Sequence, residues 1–491
     1  MWTKKKSYVF LGFLILSALF QTAVFAGTPP NIVYILMDDM GWGDVGGNNP
    51  NSKIPTPNLN RLASEGMVFT DAHAGNSVCT PSRYSTLTGR YSWRGNTPSH
   101  AARGFSRPFI EKGRMTLGSL LKANGYATAC FGKWHVGMGM PTTDGKVPNH
   151  IAKPTNIDWS GKIFPSVLDY GFDCYYGISG SLDMPPYVMI ENDRFLGAGT
   201  VRNYNNGGVI GLKDPNFRDE RVLPDVFKRA CAYIEGRKGK PGPFFIYLPS
   251  PAPHAPCSPL PEFRGKIGLG DYGDYCMEQD VLVGELVRTL DKCGFRDNTL
   301  VIFASDNGFW GRLHPERLIA KGHYPNGPFR GYKFSSYEGG HRSPFFVRWP
   351  AKIKPGQRCG ELVSLVDLLA TFADIVDVKL PDNAGEDSAS ILPLLLGKTP
   401  KSMPHDYILM LNCRGEISIR EKKWKLVTNV IPKTGRRKIV IPRGKLRVEL
   451  YDMERDPGEK HNVHARHQDQ VKRLYKKLVE NIRAGRTAAL R

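Results

Sequence analysis

Four short apolar runs, each followed by a polar cluster, constrain the fold of this chain more than any other sequence feature. Residues 31–37, 126–131, 243–248 and 300–304 are mainly apolar, β-branched or aromatic. Uninterrupted apolar runs of this length are typical of strands that are buried on both faces of a largely parallel sheet. The chain is therefore expected to build a central sheet whose strands are separated by long connections.

The segments between these runs carry helical patterns. Residues 116–124 and 275–293 are predicted to be helices, which end at Gly125 and Gly294. Strands that alternate with helices predict an α/β fold with a large, mostly parallel mixed sheet flanked by helices.

Each apolar run leads into side chains that can carry out chemistry. Asp38-Asp39 follow the first run, Lys133-Trp134-His135 the second, His254 the third and Asp306-Asn307 the fourth. Taken singly, these residues have ordinary explanations, such as a helix cap, a turn, a surface lysine or an exposed histidine. In open α/β sheets, however, ligand sites form beyond the carboxyl ends of the strands. Their joint occurrence at strand ends therefore predicts one common site.

The acidic members of this set indicate a metal. Asp38, Asp39, Asp306 and Asn307 offer only carboxylate and amide oxygens, which suit Ca²⁺ or Mg²⁺ better than zinc. Three carboxylates in one place also repel one another unless a cation neutralises them. We expect one Ca²⁺ per chain, with Mg²⁺ less favoured because it demands a more rigid coordination geometry.

A fifth segment, Cys79-Thr80-Pro81-Ser82-Arg83, presents a cysteine beside a cation. Pro81 is tolerated in the first turn of a helix, so a helix is predicted to begin just after Cys79 and to continue through Leu87. Residue 79 would then lie at the positive end of that helix, with Arg83 on the same face.

These motifs resemble those of the type I sulfatases, within the alkaline-phosphatase-like superfamily. Residues 79–83 are similar to the Cys-x-Pro-x-Arg signature of that family, and Gly89-Arg90 continue it. The remaining matches occur in the family's order: Asp38-Asp39-Met40-Gly41-Trp42-Gly43-Asp44, Gly132-Lys133-Trp134-His135, Pro253-His254-Ala255-Pro256, Ser305-Asp306-Asn307-Gly308, and Lys333 with Tyr337-Glu338-Gly339-Gly340-His341-Arg342. The resemblance covers nearly the whole chain.

The resemblance implies that Cys79 is oxidised to Cα-formylglycine (3-oxoalanine) before folding, by a separate maturation enzyme. A hydrated aldehyde carries two hydroxyls on one carbon. One hydroxyl attacks sulfur and the alcohol departs, and the other then collapses to the aldehyde and expels sulfate. A serine in this position would instead become a sulfate ester as stable as the substrate.

The resemblance also implies a role for each site residue. Asp38, Asp39, Asp306 and Asn307 would hold the metal, which would also contact residue 79. Arg83 and Lys133 would position the hydrate, while Lys133 and Lys333 would bind sulfate oxygens. His254 would protonate the leaving alcohol, and His135 would take a proton from the remaining hydroxyl, although the two histidine roles are interchangeable at this stage.

The pattern changes after about residue 385. Residues 407–411, 417–420, 423–427 and 446–451 are short strand patterns that predict a small antiparallel sheet. Val471, Leu474, Leu478 and Ile482 recur at helical spacing, so one helix is expected to pack on this sheet. We predict a signal peptide at 1–26, a catalytic domain at 27–385 and a basic C-terminal subdomain at 386–491, in which the basic segment 432–443 is an exposed hairpin or loop.

Charge and the N-terminus bear on location and partners. Lys4, Lys5 and Lys6 precede an apolar run that ends near Ala26, which is typical of a secretory signal peptide. We expect a bacterial secreted or periplasmic protein, without stable membrane insertion and without a nucleic-acid partner. Residues 401–491 supply 13 of the 21 net positive charges, which suits either a solvated surface or attraction of a polyanion.

Besides Cys79, the chain has eight cysteines that could form disulfides after export. Their spacing does not predict which of them pair, and the oligomeric state is also left open by the sequence.

The leading interpretation is a sulfuric ester hydrolase, similar to the arylsulfatases, acting on a sulfated carbohydrate. One alternative is a phosphoester or phosphonate hydrolase of the same superfamily, but such enzymes typically use two metals with extra histidine and aspartate ligands. The other is a non-catalytic binder of sulfated glycans, which would be expected to have lost Cys79 or a metal ligand. The sugar, the sulfated position, and exo or endo action are left open by the sequence.

Overall fold

Twenty strands and ten α-helices make up the described part of the chain. The computed structural model describes residues 28–398, 404–432 and 439–488. The strands are β1 (Asn31–Met37), β2 (Met67–Phe69), β3 (Ala72–His73), β4 (Ala127–Lys133), β5 (Cys174–Ile178), β6 (Ile190–Glu191), β7 (Arg194–Phe195), β8 (Val201–Tyr204), β9 (Gly211–Lys213), β10 (Phe244–Pro249), β11 (Thr299–Ser305), β12 (Phe345–Arg348), β13 (Gln357–Cys359), β14 (Val363–Ser364), β15 (Ile408–Leu411), β16 (Ile417–Arg420), β17 (Trp424–Thr428), β18 (Ile431–Pro432), β19 (Ile439–Val440) and β20 (Val448–Asp452). The helices are α1 (Pro57–Ser64), α2 (Cys79–Thr88), α3 (Leu117–Ala123), α4 (Asp219–Arg237), α5 (Gly270–Lys292), α6 (Pro315–Ile319), α7 (Glu338–His341), α8 (Leu368–Ile375), α9 (Leu392–Leu395) and α10 (Gln468–Ala484).

A ten-stranded mixed sheet forms the centre of the molecule. Its order is β13-β2-β12-β11-β1-β10-β4-β5-β6-β7. The four strands predicted from the apolar runs lie side by side as β11-β1-β10-β4 and pair in parallel. Antiparallel pairing begins where β12 joins β11 and where β6 joins β5. The predicted α/β fold class is confirmed.

Alternating side chains of the central strands pack into two separate hydrophobic cores, one on each face of the sheet. In β1, Tyr34 belongs to the core that α3 and α8 cover, whereas Val33 and Ile35 belong to the core covered by α1, α4 and α5. Both faces of β1 are therefore dry, which explains why its sequence is continuously apolar instead of alternating. Burial on both faces holds the carboxyl ends of these strands in fixed positions.

The C-terminal part forms the predicted antiparallel sheet. β15, β16, β17 and β20 pair in that order, and Val471, Leu474, Leu478 and Ile482 of α10 pack against its inner face. Tyr91 and Val366 of the larger part join the same core. β18 and β19 pair at the base of the predicted basic hairpin, whose residues 433–438 lie outside the described residues. A domain boundary at 385/386 remains a prediction.

The N-terminal prediction cannot be followed into the structure, because the expected signal peptide lies outside the described residues. Within the described ranges, none of the helices combines the length and the apolar content that a bilayer crossing requires.

Candidate active site

The acidic residues predicted at the strand ends meet beyond β1 and β11. Asp38 and Asp39 directly follow β1, while Asp306 and Asn307 directly follow β11, its parallel neighbour. All four side chains are fully buried. Asp39 has a left-handed backbone (φ 66°), and its backbone N–H donates to Asp306 Oδ1 at 3.3 Å. A non-glycine residue in this conformation is uncommon and indicates that the surrounding structure holds it in place.

Two oxygens of this acidic set have no hydrogen-bond donor within the described part of the chain. Asn307 Nδ2 donates to Asp39 Oδ1 at 2.7 Å and to Gly308 O at 2.9 Å, which leaves Asn307 Oδ1 buried and unpaired. Asp38 Oδ1 is likewise buried without a hydrogen bond. Buried oxygens are rarely left without a partner, so these two are suited to ligate a hard cation.

Three cations reach the same carboxylates. Lys133 Nζ lies 2.5 Å from Asp38 Oδ2, Lys333 Nζ lies 2.8 Å from an Asp39 oxygen, and Arg83 Nε donates to Asp306 Oδ2 at 2.8 Å. We call Asp38, Asp39, Asp306, Arg83, Lys133 and Lys333 the catalytic cluster. It balances three carboxylates with three cations, all of them buried.

The carboxylates of the catalytic cluster respond differently to this environment. Burial opposes ionisation of Asp38, but Lys133 and neighbouring cations hold its pKa far below the usual value. At Asp306 burial dominates, and repulsion from Asp38 and Asp39 adds to it, so the pKa rises to about 7 although Arg83 opposes the shift. Burial and repulsion among the carboxylates therefore disfavour the simultaneous ionisation of all three.

Cys79 is the first residue of α2, so the helix begins one residue earlier than the proline spacing predicted. Its side chain is fully buried, and Arg83 follows one turn later with Nη1 donating to Lys133 O at 2.9 Å. Burial raises the pKa of the Cys79 thiol to about 11, despite the positive charges of Lys133 and Lys333. An unmodified thiol is therefore neutral at physiological pH and is a weak nucleophile.

His254 lies over the catalytic cluster in the loop after β10. Its Nε2 is 3.5 Å from Asp39 Oδ2, while its Nδ1 lies 2.5 Å from Ala255 O and 3.2 Å from Ser181 Oγ. A carbonyl beside Nδ1 requires a proton on that nitrogen, so the tautomer is fixed and Nε2 faces the cluster.

His135 occupies a more enclosed position. Its ring is buried, its Nε2 lies 2.9 Å from Ala102 O, and its Nδ1 has no hydrogen-bond partner among the described residues. Burial, reinforced by Lys133, lowers its pKa well below the usual range. The neutral ring therefore donates from Nε2 and keeps a free lone pair on Nδ1.

Two residues near His254 were missed by sequence reasoning. The Trp310 ring stacks on the His254 imidazole with a centroid distance of 5.1 Å and an interplanar angle of 23°, and Lys333 Nζ lies 5.4 Å from the same ring. Ser181, which contacts His254 Nδ1, comes from the long connection after β5. Trp310 follows Asp306-Asn307 by three residues, so its position next to a strand end was the available signal.

A second buried ionic group lies between the large sheet and the C-terminal sheet. We call it the interface cluster, and it comprises Asp71, His73, Glu338, Arg342, Arg420, Lys425 and Glu459. Within this cluster, the side chains of Asp71, His73 and Glu338 lie close enough together to ligate a metal. Arg342 contacts both Asp71 and Glu338, Arg420 Nη2 lies 3.2 Å from Asp71, and Lys425 Nζ lies 3.1 Å from Glu338. Because cations already occupy these carboxylates, the group is a structural ion-pair network.

The structure therefore brings the predicted site residues to one crevice. Direct contacts join Asp38, Asp39, Asp306, Asn307, Arg83, Lys133, Lys333 and His254. The positive charges of Lys133 and Lys333 lower the pKa of Cys79 in opposition to burial, and the charge of Lys133 lowers the pKa of His135.

Comparison with known proteins agrees with this arrangement. The family model described as Sulfatase matches residues 30–378, and the model described as N-sulphoglucosamine sulphohydrolase, C-terminal, matches residues 332–487. An α/β sheet with this crevice, matched in this way, defines a sulfuric ester hydrolase. The chain belongs to the sulfatase family, so the resemblance drawn from its motifs is confirmed.

Individual relatives cover most of the chain. An N-acetylgalactosamine-6-O-sulfatase of Bacteroides thetaiotaomicron is 34% identical, with 92% of this chain and 93% of the relative aligned. A mouse N-acetylgalactosamine-6-sulfatase is also 34% identical, over 78% of this chain and 69% of the relative. A sulfatase structure from work on glycosaminoglycan metabolism by Bacteroides thetaiotaomicron superimposes with a TM-score of 0.80 at 33% identity, covering 93% of this chain and 100% of that one.

Proposed function

We propose that this enzyme removes sulfate from sulfated glycans, with a 6-sulfated N-acetylgalactosamine unit as the substrate. The observation that carries the proposal is the catalytic cluster next to Cys79, where three cations and two unpaired oxygens share one buried crevice. The choice of sugar is supported by the names of the relatives that align over most of their length.

A divalent cation is part of this proposal, and we favour Ca²⁺. The cation would be held by Asp38, Asp39, Asp306 and Asn307. These side chains offer oxygen atoms as metal ligands, and Ca²⁺ is bound by oxygen ligands. The unpaired oxygens of Asp38 and Asn307 support this fit. When bound, the cation would withdraw electron density from the sulfate ester.

Cys79 would act after conversion to formylglycine, whose hydrate supplies a hydroxyl that attacks sulfur. The neutral, buried thiol supports the need for such a conversion. Arg83 would orient residue 79 from the same helix, and Lys133 and Lys333 would hold sulfate oxygens in a preorganised clamp. A maturation enzyme acting before folding, and export through the N-terminal segment, belong to the same proposal.

Two histidines would move the protons. As an imidazolium, His254 would donate the Nε2 proton to the leaving alcohol, while its Nδ1–H donates to Ala255 O and lies close to Ser181 Oγ. His135 Nδ1, which carries a free lone pair, would accept one from the second hydroxyl of residue 79. The proton given to the alcohol and the proton taken from residue 79 are therefore assigned to different rings.

The first test is the mass of the peptide that contains residue 79, from protein made with a maturation enzyme. Formylglycine is expected at this position, and an unmodified cysteine under competent conditions would overturn the proposed mechanism.

The second test is sulfate release from 6-sulfated and 4-sulfated N-acetylgalactosamine. We expect turnover of the 6-sulfated sugar, with loss of activity in chelator and recovery with Ca²⁺. Matched aryl sulfate and aryl phosphate esters distinguish a sulfatase from a phosphatase, and Cys79→Ala protein is the blank. Release from neither sugar would contradict the proposed substrate.

A further inference from the structure

A cavity opens beside the catalytic cluster. It has a volume of about 550 Å³ and lies between residues 330–337 and the turn 412–416 that joins β15 to β16. We call it the lateral cleft. Lys333 and Phe334 belong to its lining, so the residue that contacts Asp39 also forms a wall of this cleft. A ligand in the crevice could therefore extend into the cleft without crossing a layer of protein.

The turn that forms the far wall is rigidly built. Asn412 Oδ1 accepts hydrogen bonds from the backbone N–H groups of Arg414 at 2.9 Å and Glu416 at 3.0 Å. Asn412 Nδ2 donates to Ser336 Oγ at 2.9 Å on the opposite side of the cleft. The backbone of Arg414 is therefore fixed, and only its side chain needs to be ordered when it binds a ligand.

Backbone hydrogen bonds fasten this turn to the loop before Cys79. Ser77 N donates to Leu411 O at 2.9 Å, and Phe334 N donates to Ser77 O at 2.9 Å. Cys413 N also reaches Phe334 O at 3.4 Å. Phe334 has a left-handed backbone (φ 80°), a conformation that costs free energy for a bulky residue and is therefore held by its neighbours. The cleft thus has a fixed position relative to residue 79.

Two arginines of the cleft are available to a ligand. Arg414 is exposed, and its guanidinium has no hydrogen-bond or ion-pair partner within the described ranges. The Arg447 side chain is 53% exposed, and its nearest carboxylate, Glu416, is 3.7 Å away and already accepts from Asn412 Nδ2. Guanidinium groups match the planar geometry of oxyanions, and the aromatic rings of Tyr332 and Phe334 offer faces for a sugar ring.

We propose that the lateral cleft binds a second sugar, one that carries its own oxyanion and is joined to the sugar whose sulfate is removed. Arg414 and Arg447 are its anion contacts, and the oxyanion is a carboxylate or a second sulfate. This inference rests on the proposed function and adds a charge requirement for the neighbouring sugar. Neither arginine touches the reacting sulfate, so both determine specificity and take no part in the chemistry.

The experiment compares two matched disaccharides. Each joins 6-sulfated N-acetylgalactosamine to a uronic acid, but in one of them the carboxylate has been reduced to a neutral alcohol. The matured wild-type enzyme is expected to favour the charged disaccharide by about tenfold in kcat/KM, the range that one charge-assisted contact supplies. In Arg414→Ala and Arg447→Ala this preference should fall towards unity, while turnover of the sulfated monosaccharide stays within about twofold.

Arg358→Ala is the matched control, because Arg358 is an exposed arginine on the edge strand β13. It should keep the wild-type preference. A disaccharide with a second sulfate in place of the carboxylate tests the other oxyanion. A wild-type preference for either charged disaccharide over the reduced one supports the inference and identifies the oxyanion. Equal rates for all three disaccharides in the wild type, or an equal loss on charged and reduced disaccharides in the arginine variants, would overturn the inference.

A binding measurement separates the two proposals. Calorimetry with Ca²⁺-loaded Cys79→Ala protein measures the preference for the charged disaccharide without turnover, and repeating it in the Arg414→Ala background tests the contact. A preference that disappears with Arg414 supports the cleft even if the matured enzyme releases no sulfate. Sulfate release without any charge preference would contradict the cleft alone.

Discussion

The catalytic cluster and the interface cluster have the same composition of charge but differ in how their carboxylates are paired. Each places three carboxylates and three Lys or Arg side chains in the protein interior. In the interface cluster, both oxygens of Asp71 and both of Glu338 contact a cation. At the catalytic cluster, Asp38 Oδ1 has no hydrogen bond and only a 3.5 Å approach of Arg83 Nη2, and Oδ1 of the adjacent Asn307 has no hydrogen bond either.

Balanced buried charge does not by itself identify a functional site. The distinguishing features are the unpaired amide oxygen of Asn307 and the position of the catalytic cluster beyond the ends of β1 and β11, close to Cys79. The interface cluster joins two sheets through ion pairs between their residues, which is the arrangement expected of a group that fixes their relative position. Variants in the two clusters should therefore separate activity from stability.

The largest effect is expected from Asp38→Asn, which removes a carboxylate from the catalytic cluster. We expect kcat to fall by roughly 10³-fold or more, because the cation site and the contact with Lys133 are both weakened. The melting temperature should change little. Asp71→Asn in the interface cluster is the matched variant, and its activity per folded molecule should stay near wild type. Comparable kcat losses in both variants would break the distinction.

The next effect is on stability and comes from Lys425→Met in the interface cluster. Lys425 Nζ contacts Glu338 at 3.1 Å and Glu459 at 2.7 Å, so its loss leaves two buried carboxylates short of a cation. Breaking such a network costs about 3 kcal/mol, which thermal unfolding would report as a clear drop in melting temperature. Lys423→Met, on the 45%-exposed neighbour, is the control and should be almost neutral. An unchanged melting temperature for Lys425→Met would show that the interface cluster is dispensable.

A smaller effect is expected at Glu278, a buried carboxyl outside both clusters. Glu278 Oε2 accepts from Leu260 N at 2.9 Å, Oε1 has no partner within the described residues, and burial raises its pKa to about 7. The folded state therefore favours the protonated form, so this group's contribution to stability is full below about pH 4.5 and is lost as the pH rises to 7.

Glu278→Gln removes this charge. The variant should be more stable than wild type by about 2 kcal/mol at pH 8 and equal to it near pH 4.5, as measured by unfolding across pH. Glu235→Gln, on the exposed face of α4, should show no such trend. A constant difference between pH 4.5 and 8 would contradict the assignment to Glu278 ionisation.

The smallest effect is expected from Trp310→Ala, which removes the ring stacked on His254. Such a stack is worth about 1 kcal/mol, so kcat on a sugar sulfate should fall by about fivefold. A nitrophenyl sulfate, whose leaving group needs little protonation, should lose less than threefold. Trp310→Phe keeps an aromatic face and should recover most of the activity. Equal losses on both substrates would show that Trp310 does not act through the acid.

Much of the fold followed from local sequence because it is encoded locally. The apolar runs predicted β1, β4, β10 and β11 to within two residues, since burial on both faces leaves a continuous pattern. The start of α5 was placed five residues too late. Its first turn contains Gly270 and Gly273, which are poor helix formers, and it is held instead by tertiary contacts such as the ring of Tyr272 against Phe309.

The site was predicted in part for the same reason. Residues directly after buried strands could be assigned to the crevice, because a parallel sheet brings its carboxyl ends together. Ser181 and the turn 412–416 could not be assigned, since they reach the crevice through long connections whose paths depend on tertiary packing. No local pattern marks Arg414 as a neighbour of a loop more than 300 residues earlier.

The hydrogen bond between Ser77 and Leu411 also sets an order of events in the life of the chain. The two residues are 334 positions apart, and Cys79 is fully buried once they have met. At about 5–20 residues per second, a ribosome needs roughly 20–70 s to travel from one to the other. During that interval the nascent chain lacks β15, the strand that holds Ser77 two residues before the cysteine. Any enzyme that oxidises Cys79 therefore competes with translation, and slower synthesis of the middle of the chain would raise the modified fraction.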